Sequence, residues 1–458
     1  MKKYKKYIKF YIPKIAFDNL HHKIQIIPPE FKYEIETFYS ILSDLSKEEY
    51  NNEEHNLKPM YSKWLQMKYG NQYNEYLKYM VQNGIIYGSN YYNQNQCYYY
   101  GLVINNRLQE ILNNSFYSTS YCLQLYRENN IQIIDNQHNK QDIKKVRNFS
   151  FVVVKISKDS KVGRYITNEH KRELDRLKHY PHHLKIMNKH FKENLKIEYN
   201  AAMEYVMQFW EVETEKAGAN NEKLIKVENR VLHRIRSIEE LKEGKGKLRF
   251  KRNKRNRRLD TNLTNMGKDL RPFLIGYENL SYLDLCNSQP VLFNIILKGI
   301  NIKNNPKLKR EMEDYEKITL SGKWYEALMD IYKIQHRELA KLMWMLVAYS
   351  SNDKKHSKNK SKFSKRFPEI NKIIKKMKEP RYEQFSIELQ RIESKIFIDE
   401  ICKELVEKGI IPYTLHDGVI VPKERKEETY QVMAEILKKH LGSVPVIEID
   451  GVKTSFKP

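Results

Sequence analysis

Ser281-Tyr-Leu-Asp-Leu-Cys-Asn-Ser-Gln-Pro290 is the stretch on which the reading of this chain turns. Tyr282, Leu283 and Leu285 are strand formers, Asn287 and Ser288 are helix-capping types, and Pro290 is tolerated in a first helical turn before Val291-Leu-Phe-Asn-Ile-Ile-Leu297. The pattern predicts a short strand that delivers Asp284 to the start of a helix, where a carboxylate points into a cleft rather than a core. An ordinary strand-to-helix turn with a capping aspartate has the same local pattern. The rest of the chain has to separate the two.

With 458 residues, 40% apolar and 12% aromatic, the chain can build sizeable cores and is not a disordered tail. Lys and Arg number 82 against 57 Asp and Glu, a formal charge of +25. That surplus predicts a polyanionic partner, nucleic acid before a membrane surface. Cys97, Cys122, Cys286 and Cys402 lack metal-ligand or redox spacing, and no long apolar span interrupts the chain. The expected setting is reducing and cytoplasmic, with no membrane contact. The basic start Met1-Lys-Lys-Tyr-Lys-Lys-Tyr7 lacks the apolar core of a signal peptide and reads as a solvated start.

In chain order, residues 1–156 are rich in Tyr, Asn and Gln, with helical periodicity at Tyr61–Tyr79 and Leu102–Leu112. Tyr91-Tyr92 and Cys97-Tyr-Tyr-Tyr100 could stack bases or fill a core. Ile131–Ile134 and Phe151–Ile156 read as strands, and His170–Leu241 as charged helices, which places a boundary near 157. His179, His182, His183 and His190 have no Cys or carboxylate at ligand spacing and read as surface histidines. Nine of the fourteen residues Lys245–Arg258 are Lys or Arg, too dense for a helix face. Phosphates would supply the counter-charge, unless the run is simply a solvated loop.

Beyond Asp284, Glu311–Lys333 and Ile334–Tyr349 read as helices. In the second, Arg337, Lys341 and Tyr349 share about 120° of one face, with the cations one turn apart. Ser350–Arg366, rich in Lys, Ser and Asn, reads as an exposed loop. Glu383–Lys408 is an amphipathic helix with Gln390 off its apolar stripe. Pro412–Leu415, His416-Asp417-Gly418 and Val419–Val421 form a hairpin whose glycine supplies the permissive backbone. A helix over Glu424–Leu441 and a strand over Val444–Ile449 follow.

A strand-borne Asp284, the Arg337/Lys341/Tyr349 helix and the His416-Asp417 hairpin, in that order, resemble the A, B and C motifs of family A DNA polymerases and single-subunit phage-type RNA polymerases. Upstream, Arg257-Arg258-Leu259, Asn262-Leu-Thr-Asn265 and Leu270-Arg271 stand where the family carries Gly-Arg-Leu, Asn-Leu-x-Asn and Ile-Arg. The resemblance covers residues 255–458. It departs at Gln289, where the DNA enzymes have Glu, at Asp284-Leu-Cys in place of Asp-Tyr-Ser, at Gly418 after His-Asp, and at Ser350 after Tyr349.

The resemblance implies an α/β fold in the right-hand polymerase architecture, an α+β palm with helical fingers and thumb, beside an unassigned N-terminal domain. Residues 157–244 would be thumb-like, 245–300 the first part of the palm with its basic loop, 301–380 the fingers and 381–458 the second part of the palm. It implies a nucleotidyltransferase, foremost a template-dependent DNA polymerase of a phage or mobile element. An RNA polymerase or an untemplated terminal transferase on the same fold stays open, as does a non-catalytic nucleic-acid-binding protein in replication initiation or defence. Asp284, Asp417 and the Leu285 carbonyl would hold two Mg2+ ions, or Mn2+, because such transfer needs a metal-binding carboxylate pair. Arg337 and Lys341 would clamp the nucleoside triphosphate, with Lys341 protonating the leaving group, and Tyr349 and Gln289 would line the sugar pocket. Arg258, Arg271, Gln390 and His416, with Lys251, Arg252, Lys254 and Arg255 of the basic run, would contact a DNA or RNA primer-template. Protein partners are not legible.

Gln289 keeps nearly the volume of the family's glutamate without its charge, so the reading predicts a weakened deoxynucleotide preference. The difference is about 1 kcal/mol, a factor of roughly five to ten. Single-nucleotide extension with dNTP and NTP side by side tests this, with Gln289→Glu expected to sharpen the preference. A strong ribonucleotide preference in the wild type would reverse the assignment.

Overall fold

A computed structural model describes residues 7–46, 58–88, 97–102, 151–218, 221–242, 248–302, 305–353 and 357–454. It is a mixed structure of many helices and small antiparallel sheets, and no helix among the described residues is long and apolar enough to cross a membrane. The chain divides into two compact units, Met1–His179 with Glu198–Lys245, and Tyr180–Ile197 with Gly246–Pro458. The boundary expected near 157 falls inside the first unit. Of the helices expected between 157 and 244, Lys161–Lys178, Tyr199–Ala217 and Asn221–Leu241 belong to the first unit and His182–Asn194 to the second.

In the first unit Tyr7–Pro13 pairs antiparallel with Phe151–Ser157, and Cys97–Leu102 lies between Lys58–Tyr61 and Ile86–Gly88 in a three-stranded sheet. Phe38, Ile41, Leu42, Met80, Ile156 and Val162 form its core. Of the tyrosine run, Tyr100 packs against that core, while Tyr91 and Tyr92 lie outside the described residues. Leu102 ends a strand instead of opening a helix; residues 103–112 and 131–134 lie outside the described residues. So do Met1–Lys6 and Lys245–Lys247.

The second unit contains, in chain order, α1 (His182–Asn194), β1 (Phe250–Arg252), β2 (Leu259–Thr261), β3 (Leu280–Leu285), α2 (Ser288–Lys298), α3 (Pro306–Leu320), α4 (Trp324–Tyr332), α5 (Arg337–Tyr349), α6 (Ser357–Arg366), α7 (Pro368–Met377), α8 (Glu383–Ser394), β4 (Tyr413–Thr414), β5 (Gly418–Pro422), α9 (Lys426–Leu441), β6 (Ile447–Ile449) and β7 (Val452–Thr454). Its main sheet is antiparallel in the order β7-β6-β3-β5-β4, so the strand carrying Asp284 is central. Strand alternation then sets the faces: Leu283 and Leu285 are buried in the core while Tyr282 and Asp284 take the other side. Helices α2 to α8 enclose an aromatic-rich core around Phe293, Tyr315, Trp324, Trp344, Phe363 and Phe367.

Several expected elements differ, each for a packing reason. Ser350–Arg366 is not wholly loop, since Ser357–Arg366 is helical: Phe363 and Phe367, one turn apart, dock fully buried in that core, and polar composition concealed two anchors. The helix expected over Glu383–Lys408 passes through a π-helical segment at Lys395–Ile401, which buries Ile396, Phe397, Ile398 and Ile401 together. Gly322 separates α3 from α4 within Glu311–Lys333. His183 is no surface histidine: it is buried, with Nε2 3.0 Å from the Ile398 carbonyl oxygen, and burial lowers its pKa.

At the hairpin tip the left-handed residue is His416, with φ 65°, not Gly418. Gly418 is required for a different reason: a Cβ there would stand 2.6 Å from Tyr282 Cε2 and 2.7 Å from the Leu283 carbonyl. Gly418→Ala should therefore destabilise the protein by roughly 1–3 kcal/mol through overpacking, measured by urea unfolding. Because truncating Tyr282 removes part of the obstruction, Gly418→Ala/Tyr282→Ala should lose less than the sum of the two single losses. Strict additivity of the two substitutions would contradict the contact.

Candidate active site

Strand register brings the two expected aspartates together. Asp284 lies directly between Gly418 on β5 and Glu448 on β6, and the Leu285 amide donates to the Asp417 carbonyl at 3.1 Å. The turn that presents Asp417 is held by its own amide donating to the Leu415 carbonyl at 2.9 Å and by the Leu415 amide donating to the Gly418 carbonyl at 2.9 Å. Burial first, then the charge of Asp417, pushes the Asp284 carboxyl up to about 8, with Glu448 adding to the rise. Burial raises Asp417 as well, opposed by Arg258 and Lys268. Asp284 Oδ1 is buried without a hydrogen-bond partner.

Two half-buried carboxyls and one orphaned oxygen suit a divalent cation, which would satisfy the oxygen and remove the mutual repulsion. The acids form a pair, not a closed cage: among the described residues no group of three or more His, Cys, Asp or Glu is gathered to hold a metal. An open arrangement of this kind leaves positions for substrate oxygens, the habit of Mg2+.

Within electrostatic reach of Asp417 is a buried network around Glu393, a residue that sequence reasoning missed. Glu393 of α8 has no solvent exposure, and burial raises its carboxyl to about 7. Arg258 donates to both its oxygens, Nε to Oε1 at 2.7 Å and Nη2 to Oε2 at 2.8 Å, and Gln289 Nε2 donates to Oε2. A carboxylate accepts only, so the Gln289 amide nitrogen must face it, leaving Oε1 as the buried end without a partner. Tyr349 stands beside this network, its hydroxyl pKa raised by burial and then by the Glu393 charge. Arg258 and Gln289 are thus brought to Asp417, but Arg258 is held by a carboxylate of the chain.

On α5 the face is as expected, with partners of its own. Arg337 lies 4.9 Å from the Tyr325 ring centroid and 3.7 Å from Glu326, and Lys341 pairs with Glu338 at 2.8 Å. Met345, one turn beyond Lys341, is 52% exposed, an apolar contact surface in line with the two cations. Tyr325 on α4 has its hydroxyl raised to about 12, by burial and by Asp417 among its neighbours, and it could not have been read from sequence. Nor could exposed Lys268, whose charge acts on both aspartates.

Arg271 faces the ring of Tyr282 at 5.9 Å, and burial, with Arg258 nearby, lowers His416 to about 4, so its ring is neutral at pH 7. Gln390 accepts from Asn256 Nδ2 at 3.0 Å. The described part of the basic run, residues 248–258, supplies β1 and the β1–β2 turn, and much of its counter-charge is internal. Arg252 makes a two-pronged pair with Asp399 at 2.8 and 2.9 Å, and Arg255 pairs with Glu383 at 3.0 Å. Lys254 is exposed and Lys251 half-buried on the same hairpin, away from the aspartates in sequence and strand.

No family model matches the chain, and no curated protein matches it. Among solved structures it is similar to the POL domain of Pol1 from M. smegmatis in complex with DNA primer-template and dNTP, at 13% identity and a TM-score of 0.28. That match takes in 53% of this chain and 56% of the other, about half of each. The functional reading rests instead on the residues of the site.

The carboxyl pair makes a testable pH dependence. Asp284 titrates near 3.8 when unfolded and about 8 when folded, so the folded chain binds the extra proton between these values. Its contribution is fully present below about pH 4 and is lost as pH rises towards 8, by at most about 1.4 kcal/mol per unit. Without divalent ions, melting temperature should fall from about pH 5 to about pH 8, and fall less in Asp284→Asn. Added Mg2+ should restore the wild type at the upper pH, by about 2.7 kcal/mol at one hundred times its Kd, and leave the variant unmoved. Equal responses of the two proteins would contradict the site.

Proposed function

We propose that this chain is a nucleotidyltransferase of the two-metal type, transferring nucleotides from nucleoside triphosphates to a nucleic-acid 3′ end. The observation that carries the reading is the strand pairing of Asp284 with Gly418, which sets Asp417 of the preceding turn beside it, together with a buried, partnerless oxygen on Asp284. Asp284, Asp417 and the Leu285 carbonyl would hold two Mg2+ ions, with Mn2+ as a substitute. When bound, such ions lower the pKa of an attacking hydroxyl and offset charge on a departing pyrophosphate.

The chain's own residues supply the rest. Arg337 and Lys341, one turn apart on α5, bind the triphosphate, and Lys341 gives a proton to the leaving group. Both can exchange their partly exposed partners, Glu326 and Glu338, for phosphate oxygens. Tyr349 and Gln289 bound the sugar, and neutral His416 supports the primer end. Arg258 cannot leave Glu393 cheaply, since breaking a buried pair costs about 3–5 kcal/mol, so its role is to hold Glu393 and to place positive charge beside Asp417.

The finer reading is a template-dependent DNA polymerase of family A type. It is supported by the order of the motifs in the sequence and by the adjacency of Asp284 and Asp417. Sugar choice and template use follow from the Gln289 pocket and from the nucleic-acid contacts.

Asp284→Asn and Asp417→Asn should each lower primer extension by at least about a thousandfold, several kcal/mol of barrier. Nucleic-acid binding and the circular-dichroism spectrum should stay near wild type, because Asn is nearly isosteric with Asp and its introduction opens no cavity. Extension by either variant above about a tenth of the wild-type rate would end the two-metal reading.

A further inference from the structure

Glu326 on α4 stands between two cations that come from different parts of the second unit. Its Oε1 is 3.7 Å from Arg337 Nε at the start of α5 and 3.9 Å from Lys453 Nζ on β7. Neither approach is a hydrogen bond, which needs about 2.7–3.2 Å between nitrogen and oxygen. Oε2 is buried and has no hydrogen-bond partner. The carboxylate is therefore balanced in charge but held closely by neither neighbour, and each of them can close on it by about 1 Å.

Both cations have room to do so. Arg337 is half-buried and lies 4.9 Å from the Tyr325 ring centroid, a ring that attracts the guanidinium charge without occupying an N–H donor. Lys453 is exposed on the edge strand of the main sheet, and its ammonium donates to the Gly322 carbonyl at 2.9 Å. An ammonium has three donors, so this bond leaves two for Glu326. Gly322 separates α3 from α4, so the anchor holds Lys453 close to Glu326 wherever Arg337 points. Strand register also sets Glu448 directly between Asp284 and Lys453, so the lysine ends a row of charges that begins at the carboxyl pair.

One carboxylate shared by two cations has two closed forms. In the first it closes on Arg337, and α5 is short of a free guanidinium; in the second it closes on Lys453, and Arg337 is free. We infer that Glu326 is a latch on Arg337 and that Lys453 is its catch: a triphosphate that takes the guanidinium releases the carboxylate, and Lys453 receives it. This inference rests on the proposed nucleotidyltransferase reading. Without Lys453, a bound triphosphate would leave Glu326 beside the incoming phosphates as an unpaired like charge. With it, that charge is neutralised at the sheet edge, and the exchange costs little because both pairs are partly exposed and weak. Glu326 and Lys453 are positioning residues, acting on the nucleotide through Arg337.

The test is isothermal titration calorimetry of the full chain with dATP and Mg2+ and, separately, with inorganic tripolyphosphate. Glu326→Gln, which keeps the side-chain volume, should tighten both by about two- to fivefold, the range of one exposed ion pair. Lys453→Met, which keeps the stem, should weaken both by a similar factor, because Glu326 then closes on Arg337. Glu326→Gln/Lys453→Met should match Glu326→Gln, since the lysine acts through the carboxylate. With Arg337→Ala already in place, Glu326→Gln should change neither affinity. Unchanged or weakened binding by Glu326→Gln would overturn the latch. So would equal tightening on the Arg337→Ala background, or additive effects in the double variant, either of which would make Glu326 a bystander charge near the phosphates. Primer extension run beside the titrations separates this inference from the reading beneath it. A wild type that extends primers while Glu326→Gln binds as it does keeps the reaction and loses the latch. One whose affinities shift as expected yet extends no primer loses the reaction and keeps the latch. A wild type that binds neither ligand would overturn both.

Discussion

Two carboxylates placed side by side at the edge of a protein interior repel one another and lose hydration, and the second unit is organised around that unfavourable contact. Asp284 on β3 and Asp417 on the turn that leads into β5 come together because Gly418, paired with Asp284, has no side chain where Tyr282 must pass. Arg258 and Lys268 oppose the burial from one side, and a bound cation would oppose it from another. A site that is destabilising when empty of positive charge binds a divalent ion more tightly for that reason, since binding removes the repulsion together with the desolvation.

The same logic extends one layer down. Glu393 is tolerable without solvent only because Arg258 grips both of its oxygens and Gln289 completes the set. This network ties together three separate parts of the chain, the β1–β2 hairpin, the start of α2 and the C-terminal end of α8. It also fixes which end of the Gln289 amide is free. Residues that looked like independent contacts in sequence are therefore mechanically linked, and substituting any one of them will disturb the others.

The basic surplus is divided between two tasks. Arg252, Arg255 and Arg258 find carboxylates on the helical stretch 383–399, so part of the positive charge locks the hairpin to that stretch. Lys254, Arg257 and Arg381 are exposed and make no ion pair among the described residues, while Arg391 lies 3.5 Å from Glu388. Composition registers the sum of these charges and is silent on the division, because an arginine paired in the fold and an arginine waiting for phosphate are written with the same letter.

What the sequence determined by itself was local: strand and helix periods around Asp284, the one-face spacing of Arg337, Lys341 and Tyr349, the hairpin at Asp417, and the order in which they occur. Such signals depend on neighbours within about one turn or one strand, which is the range over which hydrophobic period and capping act. Tertiary structure alone decided the rest. Glu393 on an amphipathic helix carries no sign of burial until packing closes over it, and Phe363 reads as part of a polar loop until a core receives it. Glycine at 418 reads as a turn residue until Tyr282 is seen against it. Each of these depends on atoms between about twenty and more than one hundred residues away in the chain, and burial is a property of that distant company, not of the residue.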